Sequence, residues 1–403
     1  MKLKSLKVLN LANEIKIPES ITPSEWKIIP LESTTMLEWK GKERNMSQQL
    51  PEKPPVATEL EALKKLDKDV KAGVKTLGKD EVRFLVDYYY QMQHDRIVTE
   101  GRIRAINQGS KNEPHEAIAF IGKQVSTIEE NIKKILDIYT KYDPVGIWCR
   151  SIIGCGPVIA AGLLANLDIE NKPTAGHFWS YCGLNDQNRP WAGREKTKKV
   201  IDSILGDKKS KDITYEDFCK CCIATQWKPD NLIEAIGKDG KYFFYNADKT
   251  EFVFKKEDII NQCAKRPYNA RMKVLLWKLG ESFVKVSNNP KDFYGKIYQQ
   301  RKAYELDKNE KLEYKEQADL KAQIVGKGTE AYKWYSKGML PPAHIQARAV
   351  RKAEQLFLSH LHHVMYVVKY GELPPKPYIL TKEGGHAHMI NVPNFELVES
   401  YLR

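Results

Sequence analysis

The run Ile152-Ile153-Gly154-Cys155-Gly156-Pro157-Val158-Ile159-Ala160-Ala161-Gly162-Leu163-Leu164 constrains the fold more than any other stretch of the chain. Glycines separated by a single residue permit the positive φ of a tight hairpin. Pro157 suits the first turn of a helix, where a missing N–H costs nothing. Val158, Ile159, Leu163, Leu164 and Leu167 then fall on a buried helical stripe, and Ala160, Ala161, Gly162 and Ala165 let a second helix pack closely. The pattern reads helix, Gly-x-Gly hairpin, helix. The N–H groups that open the second helix point outward and can hold a phosphate without side-chain charge. That is a grip on a nucleic-acid backbone that ignores base sequence. A plain helical turn, with glycines serving geometry alone, is the competing reading of the same residues.

Downstream lie Phe178-Trp179-Ser180-Tyr181-Cys182-Gly183-Leu184, then Arg194, Lys196, Lys198 and Lys199, and later Lys265-Arg266-Pro267-Tyr268-Asn269-Ala270-Arg271. In this order the stretches resemble the C-terminal domain of the IS-one-ten family of insertion-sequence transposases. There a GxGPxxA hairpin is followed by a YxGL stretch, a basic loop and a GN..LR helix start. The resemblance runs from about Val82 to about Tyr304, with a large interruption. It implies a helix-hairpin-helix DNA-binding domain, a preceding coiled segment that makes dimer contacts, and DNA or a guide RNA as partner. The residues it places at the nucleic acid are Gly154, Gly156, Pro157, Arg194, Lys196, Lys198, Lys199, Lys265, Arg266, Asn269 and Arg271.

The same resemblance shows what to look for and not find. The family's catalytic domain is N-terminal, a RuvC-like fold with four acidic residues for two divalent metals. Residues 1–78 here offer no strand-rich α/β unit and no Asp in an apolar strand setting. The family also places a nucleophilic serine before a glycine in the basic loop, and the corresponding pair here is Ala192-Gly193. No catalytic residue, metal site or cofactor is expected. Asp168, Asp186 and Asp292 are the remaining acidic candidates near the hairpin or its aligned helix.

The 403 residues suffice for two or three domains, and the net charge of +13 favours nucleic acid as a partner. No apolar run reaches the roughly 18 residues of a membrane span, and no signal peptide is read at the N-terminus. Seven cysteines in a chain of this size suggest a reducing, cytoplasmic setting rather than a disulfide scaffold.

Taken in order, residues 1–78 read as a loosely ordered arm broken by Pro18, Pro23, Pro30, Pro51, Pro54 and Pro55, with a Lys-rich short helix over Leu60 to Val74. Residues 79–142 read as a coiled helical hairpin. Its first helix steps through Val82, Leu85, Tyr89 and Met92, then Arg96, Thr99, Ile103 and Ile106. Its second carries the unbroken seam Ile118, Ile121, Val125, Ile128, Ile132 and Ile135. Residues 143–199 form the helix-hairpin-helix domain, ending in a basic loop from Asn185 to Lys199. Residues 200–263 read as an inserted α+β module, with a short helix at Asn231 to Ile236, a β-hairpin of Tyr242–Tyr245 and Phe252–Phe254, and a helix from Glu257 to Cys263. Its Cys219, Cys221, Cys222 and Cys263 lack zinc-knuckle spacing. Residues 264–403 are a C-terminal helical region and tail. Gly326-Lys327-Gly328-Thr329 lacks the upstream glycine and the strand of a phosphate loop. His360 and His363, with His386 or His388, form a metal-ligand pattern that ordinary capping and hydrogen bonding explain better.

The expected architecture is mainly α: a coiled helical hairpin, then a helix-hairpin-helix domain, with a small α+β insertion. The expected function is a transposase-family DNA-binding protein of a mobile element, acting in transposition or recombination as a homodimer, with catalysis lost or supplied by a separate subunit. Two other readings stand beside it: an active recombinase with unrecognised catalytic residues, and a helical scaffold protein.

Overall fold

The computed structural model describes residues 26–31, 34–39, 66, 68–110, 116–185, 191–209, 212–227, 233–236, 242–245, 251–252, 255–376 and 389–403. The chain divides into two units, 1–62 and 63–403. In the first, strands β1 (Trp26–Leu31) and β2 (Thr34–Trp39) pair antiparallel, with Trp26 opposite Trp39 and Pro30 opposite Thr35. Reading residues 1–78 as a proline-broken arm missed this hairpin. Each strand of a two-stranded ribbon has an outer edge, so a proline there need not break the ladder.

The second unit is mainly helical. Helix α1 (Lys68–Gly73) and a 3-10 turn lead into α2 (Lys79–Ser110) and α3 (Glu116–Tyr142). Short helices α4 (Pro144–Ser151), α5 (Pro157–Asn166) and α6 (Ala175–Tyr181) follow. Next come α7 (Arg194–Leu205) and α8 (Tyr215–Ala224), then the antiparallel strands β3 (Ile233–Ile236), β4 (Tyr242–Tyr245) and β5 (Glu251–Phe252), and then α9 (Lys256–Cys263). The chain closes with α10 (Ala270–Val286), α11 (Tyr294–Glu310), α12 (Lys315–Ala322), α13 (Glu330–Tyr335), α14 (Pro342–Tyr370) and α15 (Glu396–Glu399). Among the described residues no helix is long and apolar enough to cross a membrane.

The hairpin of α2 and α3 is present, but only its base is used as core. Val82, Val86 and Tyr89 meet Ile132 and Leu136, together with Val158, Ala161 and Ala165 of α5. Farther out the polar steps take over: Arg96 of α2 reaches Glu129 of α3 at 2.6 Å. Ile97, Ile118 and Ile121 lie exposed there, so the α3 seam runs on past the core that uses it.

The main core is built from α4, α5, α6, α10, α11 and α14. Trp148 of α4 stacks on Phe357 of α14, and Phe283 of α10 stacks on Tyr294 of α11 at a centroid distance of 5.0 Å. Cutting any of these buried rings back to alanine would cost about 3–5 kcal/mol. A second core belongs to the insertion: Ile201 and Leu205 of α7, Phe218 and Cys222 of α8, and Ile259, Ile260 and Cys263 of α9. Helix α7 therefore packs with the inserted module, and a boundary drawn at residue 199 cuts through it. Within that module Ile233–Ile236 is strand β3, not the end of a short helix, because it pairs with Tyr242–Tyr245. Local propensity is ambiguous over so few residues, and the neighbouring strand decides.

The C-terminal helices carry buried polar groups with partners. The charge-rich stretch after residue 305 does not begin as an exposed face. Glu305 is fully buried, held by Arg301, Arg348 and the Tyr314 hydroxyl. His360 uses both ring nitrogens, facing the Tyr294 hydroxyl at 2.8 Å and the Ile390 carbonyl at 3.0 Å. Burial lowers its pKa to about 4, so the ring is neutral near pH 7. His362 faces the Pro173 carbonyl and His363 meets the Phe395 ring edge-on. His386 and His388 lie outside the described residues.

Candidate nucleic-acid interface

Helix α4 starts at Asp143, whose carboxylate accepts from the Gly146 N–H at 3.0 Å. It ends at Ile152, and the Gly154 turn brings the chain into α5. Gly154 has φ +92°, and a Cβ there would lie 3.1 Å from Phe283 and 3.3 Å from Val286 of α10. It is needed for the turn and for the close approach of α10. Gly156 differs. Its backbone is extended, at φ −77° and ψ 169°, and a Cβ there would meet nothing within 4 Å. Any residue could sit there as far as the chain itself is concerned. Pro157 opens α5 and is buried.

Helix α5 has no side-chain cap and no acidic residue in its first turn. The first N–H groups of a helix have no partner within it, and here Pro157 removes one of them. The Val158 and Ile159 N–H groups remain, at the positive end of the helix dipole. The turn is held from below by Arg150, which donates to the Cys155 carbonyl at 2.9 Å and to Asp137 at 3.0 Å. Burial pushes the Asp137 carboxyl up, but Lys141 and Arg150 more than reverse this and leave it below the ordinary carboxylate range. Burial also raises the Cys149 thiol, so it stays protonated. The guanidinium of Arg150 is thus engaged within the fold, and what the turn can offer a ligand is backbone.

The stretches on either side of the insertion meet. The Asn269 N–H donates to the Tyr181 carbonyl at 2.8 Å, and the Asn269 amide donates to the Tyr181 hydroxyl at 2.8 Å. Asn269 also caps α10 by accepting from the Arg271 and Met272 N–H groups. Gly183, at φ +70°, lets Tyr268 come so close that a Cβ would lie 2.9 Å from its ring. The insertion therefore leaves and rejoins the main unit at one point. Lys172 lies over the Tyr181 ring and Lys273 over the Tyr268 ring, each about 4.3 Å from the centroid.

The basic stretch expected as a loop is the start of α7. Arg194 is its first residue and forms an ion pair with Glu257 of α9. Lys196, Lys198 and Lys199 follow on the helix, exposed. A helix forms because Thr197, Ile201 and Leu205 repeat at helical spacing and bury themselves in the module's own core. Trp191 donates to the Ala264 carbonyl at 2.9 Å, and Arg266 stacks over its ring at 4.2 Å. Lys265 is exposed beside it. Ala192 and Gly193, the pair that stands where the resemblance asks for serine and glycine, immediately precede α7. Arg271 points away from this cluster and pairs with Asp87 of α2 at 2.7 Å. Arg189 and Asp186 lie outside the described residues.

Asp168 closes a local turn, accepting from the Glu170 N–H and the Asn171 amide. Asp292 is buried just before α11 with neither carboxylate oxygen hydrogen-bonded among the described residues, and burial raises its pKa. Among the described residues no three His, Cys, Asp or Glu side chains form a metal-holding group. Besides Glu305, a further carboxyl that residue order does not flag is buried in the main core. Glu354 of α14 is 4% exposed, against Gly280 of α10, and burial raises its pKa to about 8. Only its place on the apolar stripe of α14 would have signalled it. Comparison with protein-family models, curated proteins and solved structures finds no match to this chain.

Proposed function

We propose that this chain is a nucleic-acid-binding protein of DNA transposition or recombination, related to the IS-one-ten transposases. It acts as a homodimer on DNA, or on DNA with a guide RNA, and a separate subunit supplies any catalysis. The observation that carries the reading is the start of α5. It is uncapped and free of acid, it is entered through a glycine whose side-chain space is empty, and it is fixed in place by Gly154, Arg150 and α10. That combination suits close approach of a phosphate. The adjacency of Tyr181 and Asn269 supports the family relation, because the order of motifs on either side of the insertion requires it. The exposed outer seam of Ile118 and Ile121 supports pairing between chains and gives the homodimer a surface.

The test is binding to duplex DNA across a salt series. Phosphate contacts give a steep fall of log affinity with log salt. A chain that binds DNA weakly, with no salt dependence, while self-associating through α3 would be a scaffold. Incubation with supercoiled and branched DNA in Mg²⁺ or Mn²⁺ tests catalysis. Nicking or joining by the purified chain would move it into the recombinase class.

A further inference from the structure

A groove lies between α2 and α10 at the C-terminal end of α5, enclosing about 330 Å³. Val86, Tyr90, Met272 and Leu275 give it an apolar floor, and three cations, Arg83, Arg271 and Lys278, line it against one carboxylate, Asp87. Arg271 takes Asp87, and Arg83 takes Asp80 at 2.5 Å. Among the described residues Lys278 forms no ion pair; its Nζ lies 3.1 Å from the Tyr90 ring centroid. Burial lowers its pKa, as expected of a partly desolvated ammonium without a counter-anion. Next to these residues large side chains face water. Phe84 and Tyr88 stack on α2 one position beyond Arg83 and Asp87, and Trp277, 58% exposed, stands beside Lys278 on α10.

Cations in excess, exposed ring faces and an apolar recess suit a nucleic-acid strand with its bases unstacked. Every base has a flat face for an aromatic side chain, and its phosphates supply the anions. A duplex keeps those faces hidden. An apolar partner helix would bury Lys278 without a counter-charge, and an acidic peptide would answer that cation but leave the rings without flat partners. We propose that this groove takes one unstacked base of single-stranded DNA or RNA, with Trp277 stacking on a neighbouring base and Lys278 and Arg271 holding flanking phosphates. The inference rests on the reading of the chain as a nucleic-acid-binding protein and specifies the form of the nucleic acid. Helix α5 links the two sites. Gly156 stands at its start and Asn166, which lines the groove, at its end, about 15 Å apart over ten residues.

The experiment titrates the full chain with short oligo(dT), oligo(rU), a duplex of equal length and polyglutamate, following tryptophan emission and affinity. Both homopolymers should quench the emission, and their relative affinities tell DNA from RNA. Trp277→Ala should remove most of the quench and weaken single-strand binding about tenfold. Lys278→Gln should flatten the single-strand salt slope by about one. Both variants should bind duplex as the parent does, whereas Gly156→Val should not. Melting curves check that each variant folds. Single-strand binding unchanged in Trp277→Ala overturns the proposal, as does equal quenching by polyglutamate, which would mark an acidic-peptide site. Binding of duplex but not of single strands defeats this inference alone. Binding of neither defeats the proposed function with it.

Discussion

Helices α5 and α7 each begin from a glycine without a side-chain cap, and their first turns are electrostatic opposites. Helix α5 starts at Gly156 inside the main unit, and its first turn is apolar and carries no charge. Helix α7 starts at Gly193 in the inserted module, with Arg194, Glu195, Lys196, Lys198 and Lys199 in quick succession. By charge alone α7 looks the better phosphate site. Its own module answers part of that charge: Glu257 takes Arg194, and Glu195 sits at the positive end of the dipole. Among the described residues no side chain caps the first turn of α5 and no acidic residue lies in it. A basic stretch and an uncapped, acid-free helix start are thus different properties, and here they lie in different cores.

The two cores should also answer pH in opposite senses. Glu354 in the main core has a folded pKa of about 8, raised by burial above its ordinary value. The favourable state is the protonated one. Its contribution is complete below the unfolded pKa and is lost as pH rises through about 8. Glu354→Gln should therefore stabilise the main core by about 2–4 kcal/mol at pH 8 and leave it unchanged near pH 4, read by denaturant melts. In the module, Asp217 is held below its ordinary pKa by its bond from Lys208, then by Thr214. Its contribution is present above the unfolded pKa and lost as pH falls through the lowered one. Protection factors of α8 amides, corrected for the intrinsic pH dependence of exchange, that rise on acidification would break this contrast.

Glycine substitutions sharpen the comparison next. Gly154→Ala places a Cβ at φ +92° against Phe283 and should cost about 2–3 kcal/mol in urea melts. Gly193→Ala also meets a positive φ, of +81°, but open space, and should cost about 1 kcal/mol. Equal costs would show that α10 does not press on the hairpin. Gly156→Val should leave stability within about 0.5 kcal/mol, because its backbone is extended and its surroundings are open. It should still weaken duplex binding about tenfold by holding the phosphate off the N–H groups. The smallest effect is expected in α7. Lys198→Gln with Lys199→Gln should change the salt slope by less than about one, and should cost less affinity than Gly156→Val even at low salt, where a lost phosphate contact weighs most. If the lysine pair costs more affinity than Gly156→Val, the contact lies in the inserted module and the ranking of the two sites is reversed.

Much of the fold could be read from residue order. The Gly-x-Gly-Pro turn, the long helices with seams at three- and four-residue spacing and Asn269 before α10 are local signals, and each produces the element it implies. The failures share one physical cause. β3 was read as helix, the start of α7 as a loop, and β1–β2 as part of a broken arm, because a short segment takes the structure its neighbour supplies. Lys278 of the groove and its exposed neighbour Trp277 are legible only in part. The period of α10 places Trp277 off the apolar stripe of Leu275, Leu276 and Leu279, but nothing in the residue order says that α2 stands opposite.

The sequence alone determined the helical class, the hairpin, the basic charge and the interruption between Tyr181 and Asn269, since these depend on residue type and spacing along the chain. Tertiary structure decided which glycine is fixed by packing and which is open. It also decided which cations are answered by carboxylates, where Glu354 loses its water, and that Arg271 turns to Asp87 on α2 rather than to the cluster at Trp191. These depend on what lies across a helix interface, often more than a hundred residues away along the chain, and desolvation and Coulomb energy act through space rather than along it.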